Sequence, residues 1–249
     1  MTDPTRPFPP TARFDSPGQQ PPTPWQAATV VSVHEETPTA RTFRLALERP
    51  VEHLPGQHYV VRLTAEDGYT ASRAYSVASA PDGSGQIELT VELLPDGEVS
   101  PFLHDVVVPG DVLEVRGPLG RWFTWDVRSP AVLIGGGSGV VPLMCMLRAA
   151  RREGRTDLVR LVVSVRTPES LYYASEMVGP EVTVVHTRVA PDGDPRPPGH
   201  LTGADLGAID PGTTVYLCGS GGFVEHASRL LLDAGVDPAD VRVERFGPS

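Results

Sequence analysis

Near residues 127–130 the hydrophobic period of this chain changes, and that change restricts the fold more than any single motif does. Before it, six strand-length runs follow one another: ATVVSVHEE, RTFRLALE, QHYVVRLTA, SRAYSVAS, QIELTVELL and DVLEVRG. Turn signals separate them at Pro55-Gly56, Asp67-Gly68, Pro81-Asp82-Gly83, Pro95-Asp96-Gly97 and Pro109-Gly110. Six short strands at this spacing predict a small antiparallel barrel. A helix from Pro101 to about Val107 is expected inside it, with Ser100 as N-cap and proline in the first turn. After the change, continuous apolar runs alternate with helical ones. AVLIGGG, LVRLVVSV, EVTVVHT, TVYLCGS and DVRVERFG read as strands buried on both faces. VVPLMCMLRAARRE, PESLYYASEM, TGADLGAI and GGFVEHASRLLLDAG read as the helices between them. Strand–helix alternation of this kind predicts a parallel, doubly wound sheet. The expected organisation is therefore a proline-rich arm at 1–24, a β-barrel domain at 25–127 and an α/β domain at 128–249.

Composition removes several function classes. A formal net charge of −10 argues against a general nucleic-acid binder. All 21 basic residues are arginine, so Schiff-base and P-loop lysine chemistry is excluded. Two cysteines, Cys145 and Cys218, lie too far apart in sequence for a disulfide framework or a metal-ligand spacing. The seven histidines form no metal-binding pair, and no metal site is expected. There is no apolar run long enough to span a bilayer and no secretory pattern, so a cytoplasmic location is expected. The arm at 1–24 carries eight prolines and reads as extended or disordered.

Three stretches carry chemistry. GGGSGVVP at 135–142 follows a buried strand and opens a helix. Glycines there let backbone N–H groups approach a ligand, and a helix N-terminus favours an anion such as a pyrophosphate. The pattern departs from the common dinucleotide fingerprint, because Pro142 stands where the third glycine would be. The acidic residue that would grip a ribose after the second strand is also missing. Arg166 follows that strand instead, and either pairs with a ribose 2′-phosphate or is simply solvated. The second stretch, YLCGSGGF at 216–223, ends the fourth strand of the sheet and places Cys218 and Gly219 at its carboxyl end. Cys218 is then a site residue or a small buried hydrophobe. In the third, SRAYSVASAP at 72–81, Arg73, Tyr75, Val77 and Ser79 share one strand face and Ala74, Ser76 and Ala78 the other, and neither is a clean core face. Arginine and tyrosine together can hold a planar, anionic ligand.

RAYSVAS resembles the Arg-x-Tyr-Ser-x-x-Ser flavin motif of the ferredoxin–NADP reductase superfamily. PGQHYVV before it, GEVSPFL and GDVLEVRGPLG after it, then GGGSGVVP and CGSGGF, fall where that family has its other signatures. The resemblance covers about residues 25–249 and is strongest to bacterial two-domain reductases ending in ERFG. With no cysteine cluster, it implies a member without a fused plant-type iron–sulfur domain. It implies FAD in the barrel and NADPH or NADH in the second domain, with NADPH favoured by the arginine and tyrosines of VRTPESLYYASE. Arg73 would contact the flavin phosphate, Tyr75 the ring and ribityl chain, and Ser76 the reactive edge of the ring, while Ser79 argues for FAD over FMN. Gly97, Val99 and Ser100 would meet the FAD pyrophosphate. Gly136, Gly137, Gly139 and Pro142 would line the nicotinamide dinucleotide site, with Arg166 and Tyr172 at its 2′-phosphate and adenine. Cys218 and Gly219 would lie near the nicotinamide, and Glu244 and Phe246 near the flavin. Ser76, Cys218 and Glu244 are the expected catalytic residues. At GHLT, His200 stands where many relatives have arginine.

The implied activity is an FAD-dependent reductase that takes hydride from NAD(P)H and passes electrons to a separate protein: haem, ferredoxin-like or another metal-cofactor oxidoreductase. Two other readings compete with it, a dehydrogenase of a small substrate and a non-catalytic flavoprotein subunit. Arg148, Arg151, Arg152 and Arg155 share a helical face that is either solvated or a docking patch for an acidic partner.

Overall fold

The computed structural model describes residues 23–247, so the proline-rich arm lies outside the described residues except for its last two positions. All six expected barrel strands form: β1 Gln26–Thr37, β2 Ala40–Leu47, β3 His58–Thr64, β4 Thr70–Ser76, β5 Gln86–Glu92 and β6 Val112–Leu119. They pair antiparallel in the order β4-β3-β6-β1-β2-β5. A bridge between Val77 and Leu89 brings the two edges together and closes the barrel. Alternation supplies the core, with Phe43, Leu45, Tyr59, Val61, Ile87 and Leu89 turned inward and wholly buried. Helix α1, Val99–Asp105, lies between β5 and β6.

The second half forms a five-stranded parallel sheet: β7 Ala131–Gly136, β8 Val159–Val165, β9 Val182–His186, β10 Thr214–Ser220 and β11 Val241–Phe246. Its order is β11-β10-β7-β8-β9. The chain starts in the middle at β7, winds outward through β8 and β9, then returns to the other side of β7 as β10 and β11. The order therefore reverses between β7 and β10. Helix α2, Val140–Arg152, covers the face turned toward the barrel, sharing a core with Ala40, Ala78, Phe123 and Trp125. Helices α3, Gly203–Leu206, and α4, Gly221–Asp233, cover the other face. No helix among the described residues is long and apolar enough to cross a membrane.

Two local expectations fail. The segment PESLYYASEM is not a helix. It forms two short 3₁₀ turns, Pro168–Ser170 and Ala174–Glu176, with Tyr173 between them in the left-handed region at φ 55°. Tyr172 and Tyr173 are both buried, and their rings meet edge to face at 6.2 Å. The phenol of Tyr173 reaches Thr90 of the barrel at 2.5 Å. A regular helix places consecutive side chains about 100° apart and cannot turn both inward this way. The second failure is at α1, which begins at Val99 with Glu98 at its cap position, two residues before the expected start. Ser100 lies inside the first turn, and its hydroxyl accepts the Leu94 N–H at 3.0 Å rather than capping the helix.

Candidate functional site

In an open parallel sheet, ligands bind beyond the carboxyl ends of the strands where the strand order reverses. Here that place is the gap between β7 and β10, and both glycine-rich turns open onto it. The turns are in close contact. A Cβ on Gly139 would lie 2.3 Å from the Cys218 carbonyl oxygen, and one on Gly136 would lie 2.5 Å from the Phe223 ring. Both positions therefore require glycine. Between them, a 3₁₀ turn at Gly137–Gly139 leads into α2. No side chain caps α2 and no acidic residue lies in its first turn. Its partial positive charge is left for an anion. Pro142 sits buried at the third helical position, where its missing N–H breaks no helical hydrogen bond.

Across this gap, Cys218 lies in register with Gly135 on one side and with Glu244 on the other. Cys218 is fully buried. Burial, with the Glu244 carboxylate adding to it, pushes the thiol well above its ordinary value, so it stays protonated. Burial pushes Glu244 up to about 7. Glu244 as a residue is partly accessible, but Oε2 is shielded from solvent and has no hydrogen-bond partner among the described residues. An unpartnered buried carboxyl oxygen costs free energy unless protonated or bound by something else. Phe246, at the end of β11, packs partly buried against the core shared by the two halves.

On the barrel, β4 carries Arg73, Tyr75 and Ser76. Arg73 is exposed; its one hydrogen bond goes to the neighbouring Ser72 carbonyl at 2.8 Å, and it forms no ion pair among the described residues. Tyr75 is half-buried against the barrel core, and burial pushes its phenol up to about 12. Ser76 is buried at the strand end. The chain then runs directly into the interface, with the Ala78 carbonyl accepting from Arg148 at 3.0 Å and the Ser79 carbonyl from the Cys145 thiol at 2.9 Å. The Ser79 hydroxyl is engaged within the barrel, accepting the Glu88 N–H at 3.0 Å. At α1 no side chain caps the helix and no acid occupies its first turn. Gly97, whose N–H closes a turn onto the Leu94 carbonyl at 2.8 Å, leads into it, followed by buried Val99 and Ser100.

Arg166 is exposed at the carboxyl end of β8, with Arg188 beside it through a backbone hydrogen bond of 3.0 Å. Tyr172 is buried in the interdomain core, and no hydrogen bond or ring contact joins it to Arg166. The arginine face of α2 is largely occupied by the protein itself. Arg151 pairs with Glu181 at 2.7 Å, Arg155 with Asp157 at 3.5 Å, and Arg152 reaches the Asp82 carbonyl at 3.4 Å. Arg148 pairs with Glu88 and Glu176. Sequence reasoning missed the residues that join the two halves, Tyr173 and Thr90 among them, because no local pattern marks them.

These features suit FAD and a nicotinamide dinucleotide. Among the described residues Arg73 is an unpaired cation and Glu244 keeps an orphaned oxygen, the start of α2 carries neither cap nor acid, and the gap is floored by glycines. No group of three His, Cys, Asp or Glu side chains able to hold a metal gathers among the described residues.

Comparison with known proteins identifies the two halves of the molecule. Residues 27–124 match the oxidoreductase FAD-binding domain and residues 133–229 the oxidoreductase NAD-binding domain. The chain is 29% identical over 232 residues to the reductase component of the naphthalene 1,2-dioxygenase system of Pseudomonas putida, covering 88% of this chain and 68% of that one. It is 31% identical to the glycine betaine monooxygenase reductase subunit of Chromohalobacter salexigens, covering 87% and 63%. Among solved structures, the ferredoxin reductase in carbazole 1,9a-dioxygenase superposes with a TM-score of 0.75 at 27% identity, covering 90% and 70%. A ferredoxin NADP+ reductase from Neisseria gonorrhoeae with bound FAD and NADP shares the fold, with a TM-score of 0.73 at 22% identity over 89% of this chain and 98% of that one. The chain thus spans about two thirds of the length of its curated relatives.

Proposed function

Because the chain belongs to the ferredoxin–NADP reductase superfamily and is an NAD(P)H-dependent flavin oxidoreductase, we propose that it is the reductase component of an oxygenase system. It would deliver electrons to a separate iron–sulfur or haem protein. Supporting this acceptor class are the relatives, named as reductase components of dioxygenase and monooxygenase systems. The chain's two cysteines cannot supply the four thiolates of a plant-type cluster within these residues. The observation that carries the reading is the glycine floor between β7 and β10, bordered by Cys218 and Glu244.

In this reading residues 25–127 form the flavin domain and 128–249 the nucleotide domain. Arg73 and the start of α1 at Gly97, Val99 and Ser100 hold the FAD pyrophosphate, with Ser79 bracing the strand. Tyr75 packs on the flavin ring and Ser76 offers it a hydroxyl. Gly136, Gly137, Gly139 and Pro142 bring the start of α2 against the nicotinamide dinucleotide pyrophosphate. FAD held by these residues would supply the chemistry, accepting a hydride from the nicotinamide and giving up electrons one at a time. The protein's own work is placement and electrostatics. Cys218, Gly219 and Phe246 shape the ring pocket. Cys218 does so as a neutral thiol, and Glu244, with its value near 7, holds or yields a proton at Oε2 around neutral pH. Arg166 selects the 2′-phosphate of NADPH over NADH, with the adenine beside the segment that carries Tyr172.

Anaerobic stopped-flow reduction of the purified flavoprotein by NADPH and by NADH tests the reading. Both steps should be saturable. Arg166→Ala should raise the half-saturating NADPH concentration about tenfold, the scale of one lost charge-assisted contact, with NADH changed less than twofold. No flavin reduction by either nucleotide overturns the reductase reading, and equal losses overturn the 2′-phosphate contact.

A further inference from the structure

Arg148 lies two turns into α2, about 12 Å along the helix from Val140 at its start. Its guanidinium is mostly buried, with 19% of the side chain exposed, and it bonds to both halves of the molecule at once. Toward the barrel, Nη1 donates to the Ala78 carbonyl at 3.0 Å and to Glu88 at 2.8 Å. Ala78 is two residues beyond Ser76 on the same stretch of chain. Toward the sheet domain, Nε donates to Glu176 at 3.0 Å, and Nη2 bonds to the same carboxylate. The guanidinium carbon sits 4.9 Å from the centre of the Tyr173 ring. The Tyr173 phenol in turn contacts Thr90 of the barrel at 2.5 Å. A planar fork with five donors is the side chain that can meet a carbonyl, two carboxylates and an aromatic face together. The bridge therefore ties the exit of the flavin-side strand to the helix whose start forms the glycine floor.

We infer that Arg148 is a positioning residue for hydride transfer: it sets the separation and tilt of the barrel strand relative to the nucleotide helix, without touching either cofactor. This rests on the reductase reading above, and the wild-type protein tests that reading independently of the variants. Transfer between two bound rings depends steeply on their spacing, and about 1 Å of misplacement costs on the order of 10²-fold in rate. Binding of each cofactor depends on contacts within one half and is far less sensitive. A merely structural arginine would lower melting temperature while leaving the chemical step alone.

The test is Arg148→Gln in the flavin-loaded protein, with bound FAD per chain, half-saturating nucleotide and limiting reduction rate measured anaerobically, the last also with deuterated nucleotide. Expected are wild-type FAD content, half-saturation within about twofold, a limiting rate lowered about tenfold or more, and an isotope effect at least as large as the wild type's. Arg148→Lys, which keeps the charge but loses the fork, should fall between the two. A limiting rate within twofold of wild type overturns the inference, as does a rate loss matched by loss of FAD. If the glutamine variant does not fold, Tyr173→Phe decides. It keeps the packing and removes only the bond to Thr90, so a limiting rate lowered about threefold supports the inference and an unchanged rate overturns it. Wild-type protein that its nucleotides cannot reduce would remove the reductase reading itself.

Discussion

Glu244 offers the most direct check on the electrostatics of the site. Its carboxyl, ordinarily near 4.5, stands at about 7 because it is buried. Between those values the folded protein holds a proton that the unfolded chain has released. Stability then falls as pH rises through this window, because the folded state is the one binding more protons. Each pH unit so spanned weakens the fold by about 1.4 kcal/mol. From pH 4.5 to 7 the total is about 3 kcal/mol, a ceiling given that the residue is partly accessible. Glu244→Gln keeps the shape and cannot ionise. Stability differences between wild type and variant, from urea unfolding at several pH values, isolate this one group because the other titrations cancel. The two proteins should be similar near pH 4.5. The variant should gain on wild type as pH rises and stay ahead by up to about 3 kcal/mol above pH 7. Parallel profiles, with no pH-dependent difference, would show that the carboxyl is solvated and would end the argument that Glu244 carries a proton near neutrality.

Two further substitutions probe the ligand floor and the flavin strand. Arg73→Ala removes an exposed cation that makes no ion pair among the described residues; stability of the flavin-free protein should change by less than about 0.5 kcal/mol while bound FAD is lost on gel filtration, and full retention of FAD would contradict the contact. Gly139→Ala puts a Cβ 2.3 Å from the Cys218 carbonyl oxygen, where backbone must move, so a loss of about 2 kcal/mol or more in urea unfolding is expected, and near-native stability would mean that the two turns are not in contact.

Most of the fold was legible because each half obeys one period. Alternation between turn dipeptides marks β1 to β6, and the continuous apolar runs of β7, β8 and β10 mark strands covered on both sides. The glycine floor was legible for the same reason: its position between strand and helix leaves few uses for that many glycines. What escaped was whatever depends on the other half of the molecule. Residues 168–177 have helical composition, yet Tyr172 and Tyr173 both turn into the interface and the local period loses to that burial. Ser100 has the look of a cap, but the nearby Leu94 N–H takes its hydroxyl. The spacing of Arg148 and Arg151 suggests a surface face, whereas their partners Glu88, Glu176 and Glu181 stand 28 to 60 residues away. A solvated arginine and a clamping arginine read alike until those partners are placed.

Charge explains how an acidic chain can serve anionic cofactors. With a formal net charge of −10 and no lysine, long-range attraction is unavailable, so positive potential must be concentrated locally. The helix starts show how. Among the described residues, the three helices of seven residues or more, α1, α2 and α4, carry no acid in their first turns. Asp157, Glu169, Asp205 and Asp240 occupy first turns of the shorter helical segments. An acid in a first turn stabilises a helix by neutralising its positive end, so leaving it out of the longest helices gives up local stability. At α2 the cap position is Gly139 and no side chain caps the start at all, whereas at α1 the Glu98 side chain stands at the cap position without bonding the helix. In the proposed reading α2 meets the dinucleotide pyrophosphate, and the potential left unspent at its start is what a bound phosphate would take up.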